Sequence, residues 1–229
     1  MFRVKICGIT NTRDAEVVGA AGADAVGLNF FSKSARFIEY AAAKAICGAL
    51  PEGVLRIGLF VNEEPAEVRR AFESLSLDAV QLHGDETPQY LAELGEIPVI
   101  CALRLSREGI APVHQYLAAA AENGRSPRAV LLDSFQKGCY GGTGKTANWP
   151  EAAQYYSPRN GVALPPLILA GGLTPENVAI AIDAVAPFGV DTAGGVERSP
   201  GVKSPEKVRA FVQRALNAFH SHSGDQAAS

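Results

Sequence analysis

Eight times along this 229-residue chain a short apolar run rich in β-branched residues gives way to a longer stretch of helical spacing. Strict alternation of that kind builds βαβ units around a parallel sheet whose faces are covered by helices. Strands are expected over 3–7, 24–30, 55–61, 78–82, 98–103, 128–133, 166–170 and 189–192, with helices between them and a last helix over about 205–219. Eight units in 229 residues leave about 29 residues each, close to a compact (β/α)8 barrel of roughly 250 residues. The expected fold is therefore α/β, a single TIM barrel over 1–219, followed by a polar, disordered tail over 220–229. An open doubly wound sheet is the competing architecture; it usually stops near six strands and binds its ligand where strand order switches.

Helix starts carry cap-like residues at Asn11-Thr-Arg-Asp14, Thr87-Pro88, Thr174-Pro175-Glu176 and Ser204-Pro205-Glu206. Proline suits the first turn, and an acid there meets the positive end of the helix dipole. No Pro/Gly/Ser-rich joint splits the chain. Composition narrows the function classes: 47% hydrophobic and 20% charged residues suit a globular protein, and a net charge of -3 draws neither nucleic acid nor an anionic membrane surface. Charges at the N-terminus have no apolar stretch behind them, so a cytoplasmic location is expected. The four cysteines, at 7, 47, 101 and 139, lie too far apart for a metal-binding pair or a small disulfide framework.

Side chains alternate along a strand, so Val4 and Ile6 should pack on helices while Lys5 and Cys7 face the barrel interior. Cys7 then stands at the C-terminal mouth, where barrel active sites lie. The same count points Ala129, Leu131 and Asp133 inward and puts a carboxylate at the mouth of the sixth strand. Gln81, His83 and Asp191 follow by the same logic. Simpler roles stay open for each: Cys7 as a small buried hydrophobe, Asp133 as a cap for the next turn, and His83 as a surface residue in the turn before Gly84. Lys5 is expected to pair with an inward acid such as Asp191.

Three glycine clusters follow the last three strands, at Gly141-Gly-Thr-Gly144, Ala170-Gly-Gly172 and Ala193-Gly-Gly195. Glycine lets backbone amides approach an anion, and loops after strands seven and eight commonly cradle a phosphate. Any one cluster could equally serve a tight turn. Gly144-Lys145-Thr146 matches the end of a P-loop, but that motif needs glycine where Cys139 stands. The loop over 32–38 supplies Lys33 and Arg36; an arginine fork fits a planar carboxylate, whereas Lys33 reads as a solvated charge.

With Val4-Lys-Ile-Cys-Gly-Ile-Thr10, Gly58-Leu-Phe-Val-Asn62, Gln81-Leu-His-Gly84, Leu131-Leu-Asp133, Gly141-Gly-Thr-Gly144 and Leu169-Ala-Gly-Gly-Leu173 in this order, the chain resembles the phosphoribosylanthranilate isomerase family from residue 3 to about 212. The resemblance implies a cofactor-free Amadori rearrangement of a small phosphosugar in tryptophan biosynthesis, with no metal, nucleic-acid or membrane partner. It implies Asp133 as general acid and Cys7 as general base. It also implies that Arg36 holds the anthranilate part, that His83 faces the substrate, and that amides around Gly142, Thr143, Gly144, Gly171, Gly172, Gly194 and Gly195 hold the phosphate. The sequence departs from the family pattern at Ala193-Gly194-Gly195, where Ser-Ser-Gly is expected, at Ala147-Asn148, where Phe-Asp is commoner, and at Ala35. A barrel that binds a phosphosugar without chemistry and an isomerase for another ribosylated substrate are the alternatives; the oligomeric state is not written in the sequence.

Overall fold

The computed structural model describes residues 1–105, 108–134, 149–157 and 164–226. Eight strands close into a barrel in chain order: β1 Val4–Cys7, β2 Ala25–Asn29, β3 Leu55–Phe60, β4 Ala79–Leu82, β5 Val99–Leu105, β6 Ala129–Ser134, β7 Leu167–Leu169 and β8 Gly189–Thr192. All neighbours are parallel, and β1 pairs with both β2 and β8, so no sheet edge remains. The open doubly wound alternative is excluded. Around the barrel lie α1 Thr12–Ala20, α2 Tyr40–Ala49, α3 Pro65–Ser74, α4 Pro88–Glu93, α5 Ala111–Glu122, α6 Trp149–Ala152, α7 Val178–Val185 and α8 Pro205–Gln226.

The alternation along each strand sorts the core into two shells. Val4, Ile6, Val26, Leu28, Val130 and Leu132 pack with helix residues such as Ile46, Ile182 and Phe211. Ala25, Ile57, Ala79, Ile100, Leu131 and Ile168 fill the interior, with Phe2 among them. Strands wrapped on both faces are apolar along their whole length, which is why these runs are so conspicuous in the sequence. Local signals fix the ends. The Asn11 side chain accepts the Asp14 amide and starts α1, and Asp24 Oδ2 accepts the amides of Arg3 and Val4 at 2.9 and 2.8 Å just below β1.

Two expectations need correction, and one element is additional. The last helix does not stop at 219 but runs to Gln226. Nothing in His220-Ser-His breaks a helix, and His222 Nδ1 lies 3.4 Å from Asp183 Oδ1 on α7. Thr174 does not open α7. The Asn177 side chain accepts the Thr174 amide and donates to the Gly172 carbonyl at 3.0 Å, making a separate turn before Val178. Finally, a short antiparallel hairpin, β9 Glu197–Ser199 with β10 Val202–Lys203, follows β8 and was not anticipated.

Candidate active site

At the C-terminal mouth of the barrel lies a cavity of about 280 Å³. Cys7, Arg36, His83, Asp133, Gly171, Gly172, Gly194 and Gly195, eight of the residues picked out from the sequence, all line it. Gly142, Thr143 and Gly144, with the P-loop-like Lys145 and Cys139, lie outside the described residues. Lys33 is exposed. Among the described residues no group of three or more His, Cys, Asp or Glu side chains could hold a metal ion, and no helix is long and apolar enough to cross a membrane.

Cys7 ends β1 and is 5% exposed. Room for its sulfur comes from across the ladder, where its partner is Gly27; a Cβ there would stand 2.6 Å from Cys7 Sγ. Gly8, at φ 72°, turns the chain away immediately afterwards, and both Gly8 and Ile9 donate their amides to the Gly27 carbonyl. One inward position below Cys7, Lys5 Nζ donates to Asp191 Oδ1 at 2.8 Å, the pair expected from the sequence. Burial pushes the Cys7 thiol above its ordinary value of 9.0; Lys5 and Lys203 pull it down and Asp191 adds to the rise, so the thiol is favoured at rest. Burial works to lower Lys5, but Asp191 and Cys7 outweigh it and hold the ammonium charged.

Asp133, at the inward-facing end of β6, is 7% exposed, and its Oδ2 lies 3.2 Å from His83 Nε2. The other ring nitrogen, Nδ1, is 3.0 Å from Gln81 Nε2. His83 is thus a buried partner of Asp133 rather than a surface turn residue. Asp133 is bonded into the site rather than serving only as a cap.

Arg36 is committed more fully than the sequence suggests. Its Nε and Nη2 both donate to Glu197, at 2.7 Å each, leaving Nη1 as the nitrogen not engaged by that carboxylate. Glu197 Oε1 also accepts from Lys203 Nζ at 2.9 Å, and Lys203 donates further to the carbonyls of Cys7 and Ala193 at 2.6 and 3.1 Å. One buried ion network therefore ties the 32–38 loop, the end of β1 and the loop after β8. Burial works to raise Glu197 and is outweighed by Arg36 and Lys203, which hold its carboxyl below the ordinary 4.5.

Beside this network the two glycine loops come together. Gly171 and Gly172 take φ of 89° and 68°, open to residues without a side chain, and Thr192 Oγ1 donates to the Leu173 carbonyl at 2.7 Å. A Cβ on Gly195 would collide with that same carbonyl, so the loop after β8 packs flat on the loop after β7 only as glycine. Backbone amides at a rim shaped this way suit an anion such as a phosphate.

Glu197, Lys203 and Asn29 were missed from the sequence. Glu197 meets Arg36 across 161 positions of chain, a distance at which no local pattern speaks. Asn29 could have been found as the polar last residue of β2 facing inward; its Oδ1 accepts the Phe31 amide and its Nδ2 donates to Ser34 Oγ, shaping the loop that carries Arg36.

The model of a family described as N-(5'phosphoribosyl)anthranilate (PRA) isomerase matches residues 4–214. The N-(5'-phosphoribosyl)anthranilate isomerase of Rubrobacter xylanophilus is 44% identical over 219 residues, 94% of this chain and 99% of the relative. That of Geobacter sulfurreducens is 44% identical over 216 residues, 94% and 98% of the two chains. Among solved structures, phosphoribosyl anthranilate isomerase from Thermotoga maritima has a TM-score of 0.81 at 38% identity, covering 95% of this chain and 100% of its own. Another solved isomerase of this name, in complex with reduced 1-(o-carboxyphenylamino)-1-deoxyribulose 5-phosphate, has a TM-score of 0.78 at 38% identity, with the same coverage. With likeness of this degree running almost end to end, the chain belongs to the phosphoribosylanthranilate isomerase family.

Proposed function

We propose that this protein isomerises N-(5-phosphoribosyl)anthranilate to 1-(2-carboxyphenylamino)-1-deoxyribulose 5-phosphate in tryptophan biosynthesis, with Asp133 as general acid and Cys7 as general base. The observation that carries this reading is that the sulfur and the carboxylate, from β1 and β6, line one cavity with the two glycine loops on its rim. Asp133 protonates the furanose ring oxygen; the C1'–O bond breaks and the anilino nitrogen supplies the electrons, leaving a C1'=N iminium. The iminium acidifies the C2' hydrogen, which Cys7 removes as thiolate, giving an enolamine. Loss of the C2' hydroxyl proton and protonation at C1' complete the ketone. Product is an isomer of substrate, so no oxidant, reductant or cofactor enters the balance.

The reactive form carries a proton on Asp133 and none on Cys7. It has the same net charge as the form with thiol and carboxylate, so its population reflects how one proton divides between the two groups. Lys5 and Lys203 favour the thiolate, and the iminium adds a third cation beside it. The glycine-loop amides hold the phosphate, and Arg36, oriented by Glu197, turns its remaining nitrogen to the anthranilate carboxylate.

Purified protein in chelator, with no added nucleotide, should consume phosphoribosylanthranilate and quench its fluorescence. Cys7→Ala and Asp133→Asn should each lower kcat by about 100-fold or more while phosphate-analogue binding persists. Folded wild-type protein that never turns the substrate over sinks the reading; full activity in either variant sinks the role assignment.

A further inference from the structure

We propose that Gln81 is a positioning residue that holds His83 as the neutral, Nε2-protonated tautomer, so that Asp133 keeps the proton it must deliver. This rests on the reading of Asp133 as general acid given above. Gln81 is fully buried on β4, its backbone fixed between Leu59 of β3 and Ile100 of β5, and its side chain shares the inward face with His83 two residues on.

A carboxamide nitrogen can only donate. With Gln81 Nε2 at 3.0 Å from Nδ1, that ring nitrogen must accept, and the single ring proton sits on Nε2, 3.2 Å from Asp133 Oδ2. His83 can then donate to Asp133 but offers it no lone pair. An imidazole protonated at Nδ1 would do the opposite: its bare Nε2 would take the acid's proton and leave an ion pair unable to protonate the sugar. In this orientation of the amide a doubly protonated ring is opposed by the same contact, because its Nδ1–H would face the amide's N–H, donor against donor, away from water. The arrangement also serves the step after transfer, when the carboxylate left on Asp133 accepts the Nε2–H.

The charged groups around His83 do not replace this control. Arg104 on β5 reaches the His83 carbonyl with Nη2 at 3.4 Å and Asp85 with Nη1 at 3.1 Å; Glu86 takes the Gly84 amide; Lys5, Asp191 and Cys7 lie across the interior on β1 and β8. Among the described residues Gln81 is the group on Nδ1. Its Oε1 is buried with no partner among the described residues and belongs to a residue lining the cavity, so a sugar hydroxyl donating to it would reinforce an orientation already set in the free protein.

The test is nitrogen NMR of histidine-labelled protein near neutral pH, with the four histidines assigned by single replacements. Free wild-type protein should show His83 neutral and protonated at Nε2. Gln81→Glu, which places an acceptor on Nδ1, should convert His83 to imidazolium and lower kcat by about 100-fold or more with KM little changed. Gln81→Met, apolar and of similar length, should yield both tautomers and an intermediate kcat, and it covers the case in which a buried glutamate unfolds the protein. An Nδ1-protonated or doubly protonated His83 in wild type, or a Gln81→Glu protein with wild-type kcat, overturns the proposal. The wild-type spectrum is read without substrate, so failure of the isomerase reading would appear separately, as absent turnover with the tautomer intact.

Discussion

Gly27→Ala is the sharpest test of how the site is built. Gly27 is the ladder partner of Cys7, and an added Cβ would meet Cys7 Sγ at 2.6 Å, Cα at 3.0 Å and Cβ at 3.1 Å. Restoring ordinary contact at 3.4 Å requires the sulfur to move by about 0.8 Å and the backbone of β1 by about 0.4 Å. Overpacking of this size costs about 1–3 kcal/mol, enough to lower the unfolding midpoint without abolishing the fold. The effect on rate should be larger, because displacing a reacting group by about 1 Å can cost on the order of 100-fold. Moving β1 also disturbs the two amides, of Gly8 and Ile9, that hang on the Gly27 carbonyl. We expect kcat to fall by about 10- to 100-fold in the fluorescence assay, with urea unfolding reporting the smaller loss of stability. Gly48→Ala provides the control, since nothing lies within 4 Å of its added Cβ in the last turn of α2; it should gain at most about 0.5–1 kcal/mol and keep its activity. A folded Gly27→Ala enzyme with wild-type kcat would refute the claim that this glycine seats Cys7 for its proposed role as base.

Burial pushes Cys101 from 9.0 up to about 12, so the folded state keeps its proton where the unfolded chain has lost it. Its stabilisation is complete below pH 9 and is lost as pH rises towards 12; comparing wild type with Cys101→Val by urea unfolding, their stability difference should shift against wild type by about 1.4 kcal/mol between pH 8 and pH 10. Glu197→Ala leaves Arg36 and Lys203 without their shared carboxylate and should cost about 3–5 kcal/mol at neutral pH, with KM raised. Because the folded Glu197 lies below 4.5, its contribution is present above that value and fades on acidification through it, so wild type and variant should converge in acid. The double change Lys5→Met with Asp191→Leu should leave stability unchanged or raise it by up to about 4 kcal/mol while lowering kcat; a double variant as active as wild type would remove Lys5 from the account of the base.

The barrel was legible because its signals are local and repeated. Strands covered on both faces announce themselves as unbroken apolar runs, and counting by two along β1, β6 and β8 placed Cys7, Asp133 and even the Lys5–Asp191 pair. What stayed hidden depends on contacts between distant segments. Arg36 reads as a free fork until Glu197 arrives from 161 residues away, and Gly27 reads as one more apolar-strand residue until the register sets it against a sulfur. The Thr174 misplacement has a different origin: Thr-Pro-Glu is a sound helix start, but the Asn177 side chain bonds back to Gly172 and Thr174 and captures the segment as a turn. Sequence chemistry named a competent local structure, and a neighbouring side chain selected another.

The order of layers inside the barrel explains why a polar site survives there. Inside the barrel Phe2, Ile57, Ile100, Leu131 and Ile168 exclude water. Among them Lys5 and Asp191 face each other across the β1–β8 ladder, and Cys7, Gln81, His83 and Asp133 line the cavity at the mouth. Burying an ion pair costs several kcal/mol per charge, and an apolar pair of equal volume would usually hold a barrel together at least as well. Stability alone therefore gives no reason for Lys5 and Asp191 to be there. Their position does, because a cation fixed one layer below Cys7, in a medium where water cannot screen it, acts on the thiolate more strongly than any surface lysine could. Asp191 is needed so that the lysine stays charged in that setting, although it also opposes ionisation of the thiol. On the proposed reading of Cys7 as general base, the apolar interior and the ion pair are thus one device: the first supplies the low dielectric, and the second uses it to favour the thiolate.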